Sequence, residues 1–582
     1  MTTVSEPVCQ PVEAAQLPRQ KRRRQCAVAA GVPTILTALH AAYYGQWIVD
    51  DAGLTFAYAR SLATGAGPVL QPGSEPVEGY SNPAWVAVLV VGRWLHLFDR
   101  GAWFGTSDIV LFPKVVALLC CFGIFAAMFT IASKATRHPV IVTIAAGAAT
   151  SAVPSFVIWT TSGLENALLA LAVMALAAVL ARAAVDGRLL TFNAALTAGV
   201  IAALAALTRP EGVVYAAALP LALALTVERR TLRRALQVCL AGLAAFAVPV
   251  GTYLVWRLAT FSDYLPNTAR AKEQGLPSVN NLNTPGELAA YAGWLAVCLG
   301  VASVAVTIAR PSPIRTAVTM LLVPLVLAVV SCALLQQDWM AQYRFATPVW
   351  PLAAITIALS VTHVAPKVSP RGRIIGTVLA PLAVIASLVT FSLSDREFRA
   401  EPTVGVCNVA QNTGYNFNGY ADILGVQEGT LLAVDGGGTS LTSRLRYIDL
   451  SGLADRRIAR FWQTDDMSGL RDYVFDDIHP TFIKLFHGWA QRDRLALMDD
   501  PRLARDYVLM FSGQAGGGEW VRRNVVSDGG SLAAARLWGR DTWNLVTERY
   551  PPGVPPVWWC GDVLRPTPFS AGSPAPSPLT RP

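Results

Sequence analysis

Two adjacent carboxylates, Asp50 and Asp51, stand where the first hydrophobic run stops, in the stretch Trp47-Ile-Val-Asp-Asp-Ala-Gly-Leu-Thr-Phe-Ala-Tyr-Ala-Arg60. Carboxylates at a membrane boundary are costly, which makes them candidates for a functional site. A carboxylate within reach of an acceptor hydroxyl can take its proton as a general base. Neighbouring residues point in different directions, so the pair cannot act as a symmetric dyad. One would do chemistry while the other positions a hydroxyl, a metal or a partner arginine. The plainer reading makes Asp51 the N-cap of a following amphipathic helix and leaves Asp50 solvated. Further cations suited to a phosphate are Arg60, Arg209, Arg270, Lys272 and Arg344, arginine in particular binding phosphate bidentately. Arg209-Pro-Glu211 puts two charges at the end of an apolar run. Its structural alternative is an ion pair of Arg209 with Glu211 or with Glu165.

The elements that must hold these groups are membrane spans. The chain of 582 residues is 53% hydrophobic and only 15% charged, with mean hydropathy +0.42, whereas an ordinary soluble domain is about 25% charged. The net charge of +9 is spread in short basic clusters between apolar runs. That pattern records membrane orientation and is not a nucleic-acid signal. A span needs roughly 20 apolar residues. Candidates are 27–49, 110–133, 139–158, 164–182, 191–208, 212–227, 234–257, 288–309, 314–335, 346–364 and 374–393, about eleven in all. The run 83–98 carries Arg93 and His96 and is ambiguous. If it does not cross, the connections Lys134–His138, Asp186–Arg188, Glu228–Arg234, Arg310–Arg315 and Lys367–Arg373 all share the side of Lys21-Arg-Arg-Arg24. If it crosses, most basic clusters move outside, against the positive-inside rule. The run 83–98 is therefore expected to be an interfacial helix on the outer face. So is 54–62, with Leu54, Tyr58 and Leu62 on one stripe. Residues 1–26 are read as cytoplasmic and, with no small-residue cleavage site before Asp50, the first span as uncleaved.

This parity gathers five polar segments on the outer side: Asp50 to Asn82, Thr161–Glu165, Thr208–Gly212, Tyr264–Lys272 and Gln336–Arg344. The inner connections are short, basic turns. A lipid or sugar transporter would instead place polar groups at mid-span depth in two related halves. From residue 395 the chain turns polar, and short apolar runs such as Thr430–Val434, Tyr447–Leu450 and Phe482–Phe486 predict an α/β or mixed domain to about residue 564. Residues 565–582 are rich in Pro and Ser, the composition of a disordered tail. Cys407 and Cys560 are the pair of cysteines in this polar region, and an extracytoplasmic location predicts a disulfide between them. Asp435-Gly-Gly-Gly438 lacks the Lys-Ser/Thr of a phosphate loop and no clear helix follows it, so it reads as a turn. Tyr80, Trp85, Trp339 and Tyr343 read mostly as interfacial-belt aromatics. No metal-ligand spacing occurs. No cofactor is required by these residues, and a divalent cation is compatible with them.

The run Asp50-Asp51-Ala-Gly-Leu-Thr-Phe-Ala-Tyr-Ala-Arg60, followed by Gly65-Ala-Gly-Pro68 and Glu75-Pro-Val-Glu78-Gly-Tyr-Ser-Asn82-Pro, resembles the first outer loop of bacterial GT-C glycosyltransferases, in particular the terminal arabinofuranosyltransferases of actinobacterial cell-wall assembly. Thr161-Ser-Gly-Leu-Glu165, Arg209-Pro-Glu-Gly212, Leu265-Pro-Asn-Thr268 with Lys272, Asp338-Trp-Met with Tyr343-Arg344, and Tyr447-Ile-Asp-Leu-Ser-Gly-Leu453 are similar to later motifs, in the same order. The resemblance implies an all-α polytopic GT-C-like catalytic core over 27–394 and an extracytoplasmic domain over 395–564. It implies a polyprenyl-phosphate sugar donor in membrane lipid, a glycan acceptor and no nucleic acid. The catalytic residues it implies are Asp50 and Asp51. The substrate-binding residues are Arg60, Glu78, Tyr80, Asn82, Glu165, Arg209, Glu211, Asn267, Lys272, Asp338, Tyr343 and Arg344.

Overall fold

The computed structural model describes residues 19–272, 281, 283–335, 339–486, 489, 495–513, 517–549, 560 and 564. Asp338 and the Pro/Ser-rich segment 565–582 lie outside them, as do residues 1–18 of the N-terminal segment.

Each predicted apolar run is occupied by helix. Among the described residues, seven helices are long and apolar enough to cross a membrane: α1 (Arg19–Ala42), Asp108–Ala135, Asn166–Val185, Arg229–Phe261, Pro313–Leu334, Val349–Lys367 and Pro370–Ala400. Two more crossings result if the bent pairs Pro139–Ser151 with Pro154–Thr160 (80°) and Asn283–Ala292 with Trp294–Ala309 (102°) are each one broken span. Phe192–Thr208 and Pro210–Ala224 are shorter apolar helices, so length and composition alone count seven to nine crossings, and these two connect the same two ends of the bundle. Their shortness has a local reason. After Arg209 the chain continues as a 3-10 helix, Pro210–Ala217, and doubles back so closely that a Cβ on Gly212 would lie 2.1 Å from Ala205 O. Arg229–Phe261 and Pro370–Ala400 are only 11% buried along their apolar windows, the surface expected of helices that face lipid.

The connections sort to two ends. At one, Arg22 donates to Ser133 Oγ (3.3 Å), Lys134 pairs with Asp186 (2.9 Å) and Arg234 donates to Leu190 O (3.1 Å). At the other stand α2 (Asp50–Ala63) and α3 (Pro83–Trp94), packed together. The run 83–98 does not cross, because its start and finish are both tied to this end: Asn82 bonds Glu165, and Arg93 pairs with Asp99, itself the partner of Arg60 in α2. Asp51 is not a cap. Val49 holds the N-cap position and both aspartates lie in the first turn of α2, where negative charge is favourable.

A hairpin of β1 (Ala102–Trp103) and β2 (Thr106–Ser107) leads back into the bundle. The C-terminal region builds a five-stranded sheet from β3 (Thr430–Ala433), β4 (Arg446–Asp449), β5 (Phe482–Leu485), β6 (Tyr507–Ser512) and β7 (Gly518–Arg522), in the order β4-β3-β5-β7-β6. The first three pair in parallel and β7 joins antiparallel to β5 and β6. Strand periodicity sends alternate residues to opposite faces. Leu431, Ala433, Tyr447 and Phe482 face a core continuous with α2 and the helical bundle. Leu432, Ile448, Ile483 and Leu485 face a second core covered by helices of the same domain. The sheet is therefore welded to α2 and the segment that follows it by its own packing.

Candidate active site

The loop Thr161–Glu165 is the hub of the end that carries α2 and α3. Val49 N donates to Ser162 O (3.0 Å), Trp85 Nε1 to Gly163 O (3.0 Å) and Asn82 Nδ2 to Glu165 Oε2 (2.6 Å). Arg209 bonds Glu165 Oε1 (2.7 Å) and also Glu211, so both structural alternatives for this arginine occur together. Next along the chain, Asn166 Nδ2 reaches Arg344 O (3.1 Å) and Thr347 Oγ1 (3.2 Å), while Trp159 Nε1 donates to Ala341 O and Gln342 O. The guanidinium carbons of Arg209 and Arg344 lie 5.0 and 5.1 Å from the same Phe345 ring. Gln342 and Tyr343, both in the left-handed region (φ 66° and 48°), hold the bend that delivers Arg344. The loop around Asn267 joins through its amide to Glu78 O (3.0 Å), and Lys272 Nζ stands 3.6 Å from Asp51 Oδ2. All five outer segments thus meet.

The two aspartates sit in different environments. Asp50 is buried, 4% exposed, with Oδ2 accepting from Gly437 N (3.0 Å) and Oδ1 from Gly438 N (2.7 Å). Its main-chain N–H donates to Val404 O, and Val406 N donates to Ile48 O. Burial, then the nearby Asp435 and Asp51, push its carboxyl well above the ordinary carboxylate range, against the pull of the two amides. Asp51 is more open, its side chain 23% exposed, and its charged neighbour is the half-open Lys272. Asp435 is also pushed up, to about 6, by burial and by Asp51 and Asp449, with Lys484 opposing. Among the described residues its carboxylate makes no hydrogen bond or ion pair.

The Asp435–Gly438 segment is not the plain turn that its sequence suggests. It starts the short helix Gly437–Thr442, and its amides seat Asp50. Only glycines fit there. A Cβ on Gly53 of α2 would lie 2.6 Å from Gly437 C, and one on Gly438 would lie 2.4 Å from Val406 O. Three glycines after an aspartate at a strand end are a usable signal of close backbone approach, but the partner is invisible in sequence. Arg257 was also missed. It pairs with Glu78 (Nε–Oε2 2.6 Å) beside Tyr253 Oη, which donates to Glu78 Oε1 (2.5 Å). A lone arginine near the end of an apolar helix was its signal.

Several expected binding residues have other partners. Arg60 forks onto Asp99 (Nε–Oδ2 and Nη2–Oδ1, both 2.7 Å) and donates to Leu441 O (3.0 Å), about 13 Å along the helix from Asp51 by its rise per residue. Asn267 Nδ2 donates to Gly452 O (2.7 Å) and Leu453 O (2.9 Å), joining the fourth outer segment to the sheet domain. Tyr80 and Trp85 are 4% and 1% exposed, so they are core and not belt aromatics, whereas Trp339 is 64% exposed. Tyr343 packs edge-on to Tyr291 (5.3 Å). Cys407 and Cys560 form a disulfide, Cα–Cα 5.5 Å, and Cys560 N donates to Gln46 Oε1 (2.8 Å) close by Asp50. Both oxygens of Asp50 are taken by amides, Asp51 faces an ammonium, and no group of three or more His, Cys, Asp or Glu among the described residues could share a metal.

No protein-family model and no curated sequence matches this chain. Solved structures do. ArnT from Cupriavidus metallidurans bound to undecaprenyl phosphate superposes with a TM-score of 0.54 at 14% identity, covering 88% of this chain and 99% of that one. Its apo state gives 0.55 at 14% identity, covering 85% and 98%. The oligosaccharyltransferase AglB from Archaeoglobus fulgidus, in complex with an inhibitory peptide and a dolichol-phosphate, gives 0.49 at 11% identity over 86% of this chain and 74% of that one. The protein is therefore a multi-pass membrane protein of GT-C fold, helical in its core and with a sheet-containing C-terminal region.

Proposed function

We propose that this chain is a membrane glycosyltransferase that moves a sugar from a polyprenyl-phosphate donor to a cell-envelope glycan outside the cytoplasm, with arabinofuranose as the sugar the motif resemblance favours. One observation carries the reading. Asp51 presents a partly open carboxylate, loosely paired with a half-exposed ammonium, at the point where five polar loops meet on one end of a GT-C fold.

Asp51 is the general base. The acceptor oxygen bonds to the anomeric carbon as its proton passes to Asp51, and the bond from that carbon to the phosphate oxygen breaks with its electron pair leaving on phosphate. A phosphate needs little acid help to depart, so nearby cations matter more than a proton donor. Lys272, 40% exposed at its side chain, would turn from Asp51 to the phosphate, and Arg209 and Arg344, which share the Phe345 ring, would add positive charge. The orientation, with Lys21–Arg24 cytoplasmic and the sheet domain outside, rests on the positive-inside rule.

The test is release of lipid phosphate from a panel of polyprenyl-phosphate sugars by purified protein with a glycan acceptor. Asp51→Asn is expected to lower turnover by about 10²–10⁴-fold, the usual weight of a general base. A silent wild type, or full turnover by Asp51→Asn, would remove the reading.

A further inference from the structure

Resting on that reading, the inference concerns the sheet domain, which a transferase could use simply to hold acceptor glycan. We propose that its Asp435–Gly438 segment is a positioning element of the active site: by clamping Asp50 it fixes the first turn of α2 and so the aim of Asp51. The site is then bipartite and complete only while the two parts of the chain are docked.

Four hydrogen bonds at Ile48–Asp50 come from the C-terminal region. Gly437 N and Gly438 N take the two carboxylate oxygens of Asp50, Val404 O takes its N–H, and Val406 N binds Ile48 O. The clamp is backed on both sides. Gly437 lies against Gly53 of α2 with no room for a Cβ, and Gly438 lies as closely against Val406 and Ala410. A merely adhesive contact has no need to bury a carboxylate without a cation beside two other aspartates, since apolar residues of similar volume dock as well or better. Asp50 therefore has the features of a group retained for geometry. Asp51 follows it on the same helical turn, so a slip of Asp50 moves Asp51 by a similar distance, and a displacement of about 1 Å at a reacting group costs on the order of 10²-fold in rate.

The test compares two changes at one interface in the full-length protein. Asp50→Asn keeps the volume but offers one acceptor to two amides. Gln71→Ala removes a separate interdomain contact, in which Gln71 Nε2 donates to Leu445 O (3.3 Å) and its Oε1 accepts from Tyr447 N (2.9 Å). Asp50→Asn is expected to lower kcat about 10²-fold with the KM values for donor and acceptor within about twofold. Gln71→Ala is expected to lower the unfolding temperature while leaving kcat within about twofold of wild type. Undiminished kcat in Asp50→Asn would overturn the proposal. So would equal losses of kcat in both variants, which would mark simple docking. A wild type that consumes no donor would strike the transferase reading itself, and this inference with it.

Discussion

Replacing Gly437 by alanine should undo the seat of Asp50, and the size of the effect follows from distances. The new Cβ would stand 1.8 Å from Asp50 O and 2.6 Å from Asp50 Oδ1, with Gly53 closing the other side. The segment must retreat by about 1 Å or more to restore ordinary contact, which stretches the 3.0 and 2.7 Å amide bonds beyond hydrogen-bond range. Each bond to a charged group contributes about 1.5–3 kcal/mol, so the pair is worth roughly 3–6 kcal/mol. Water cannot replace them at a carboxylate 4% exposed. Protonation of Asp50 offsets part of the loss. Against a total stability of about 5–15 kcal/mol, the expected result is a protein whose sheet domain undocks at or near working temperature. Thermal unfolding in detergent, with limited proteolysis to detect release of the C-terminal region, measures this. Gly376→Ala is the control: nothing lies within 4 Å of its Cβ, within the helix Pro370–Ala400, and the change should stabilise by about 0.5–1 kcal/mol. Gly437→Ala as stable and as active as wild type would refute the reasoning.

Arg60→Met should destabilise by about 1.5–3 kcal/mol, because it strips the forked partner from Asp99, whose side chain is 2% exposed and which keeps only Arg93 among the described residues, whereas Lys272→Met should cost no more than about 1 kcal/mol and instead lower turnover. Unfolding temperatures in the opposite order would sink that division of roles. Cys407→Ser should lower stability by up to about 5 kcal/mol, the chain-entropy value for a cross-link spanning 153 residues, and reductant should act on wild type but not on the variant; equal response of both would show the bond to be idle. Asp435 and Asp449 are each raised from 3.8 to about 6 by burial, so the folded protein binds more protons than the unfolded chain between those values. The contribution of these two groups should therefore fall as pH rises from about 4 to about 6 and level off above, by at most about 3 kcal/mol per group, and Asp435→Asn should flatten the slope in that window. A melting-temperature slope that Asp435→Asn leaves unchanged there would contradict the assignment.

Helical crossings, the two-ended sorting of polar loops and the non-crossing run 83–98 were legible in the chain, since hydropathy and charge act locally along it. The motifs at Asp50, Glu165, Arg209 and Lys272 were legible too, because a charge at a membrane boundary is conspicuous wherever it stands. The shape of the spans was less so: a 3-10 start at Pro210 and two sharp bends shorten or break runs that composition counts as whole. Which aspartate is held and which is open could not be read at all. That depends on Gly437 and Gly438, hundreds of residues away, and on backbone amides, which every residue but proline carries and no sequence pattern advertises. Nor could the sequence say that Arg60 pairs with Asp99, because a guanidinium's partner is chosen by which carboxylate the packing brings within 3 Å. Sequence by itself thus supplied the membrane setting and the inventory of reactive groups. Tertiary structure alone paired them, since burial makes each pairing strong and only the packed chain determines what is buried.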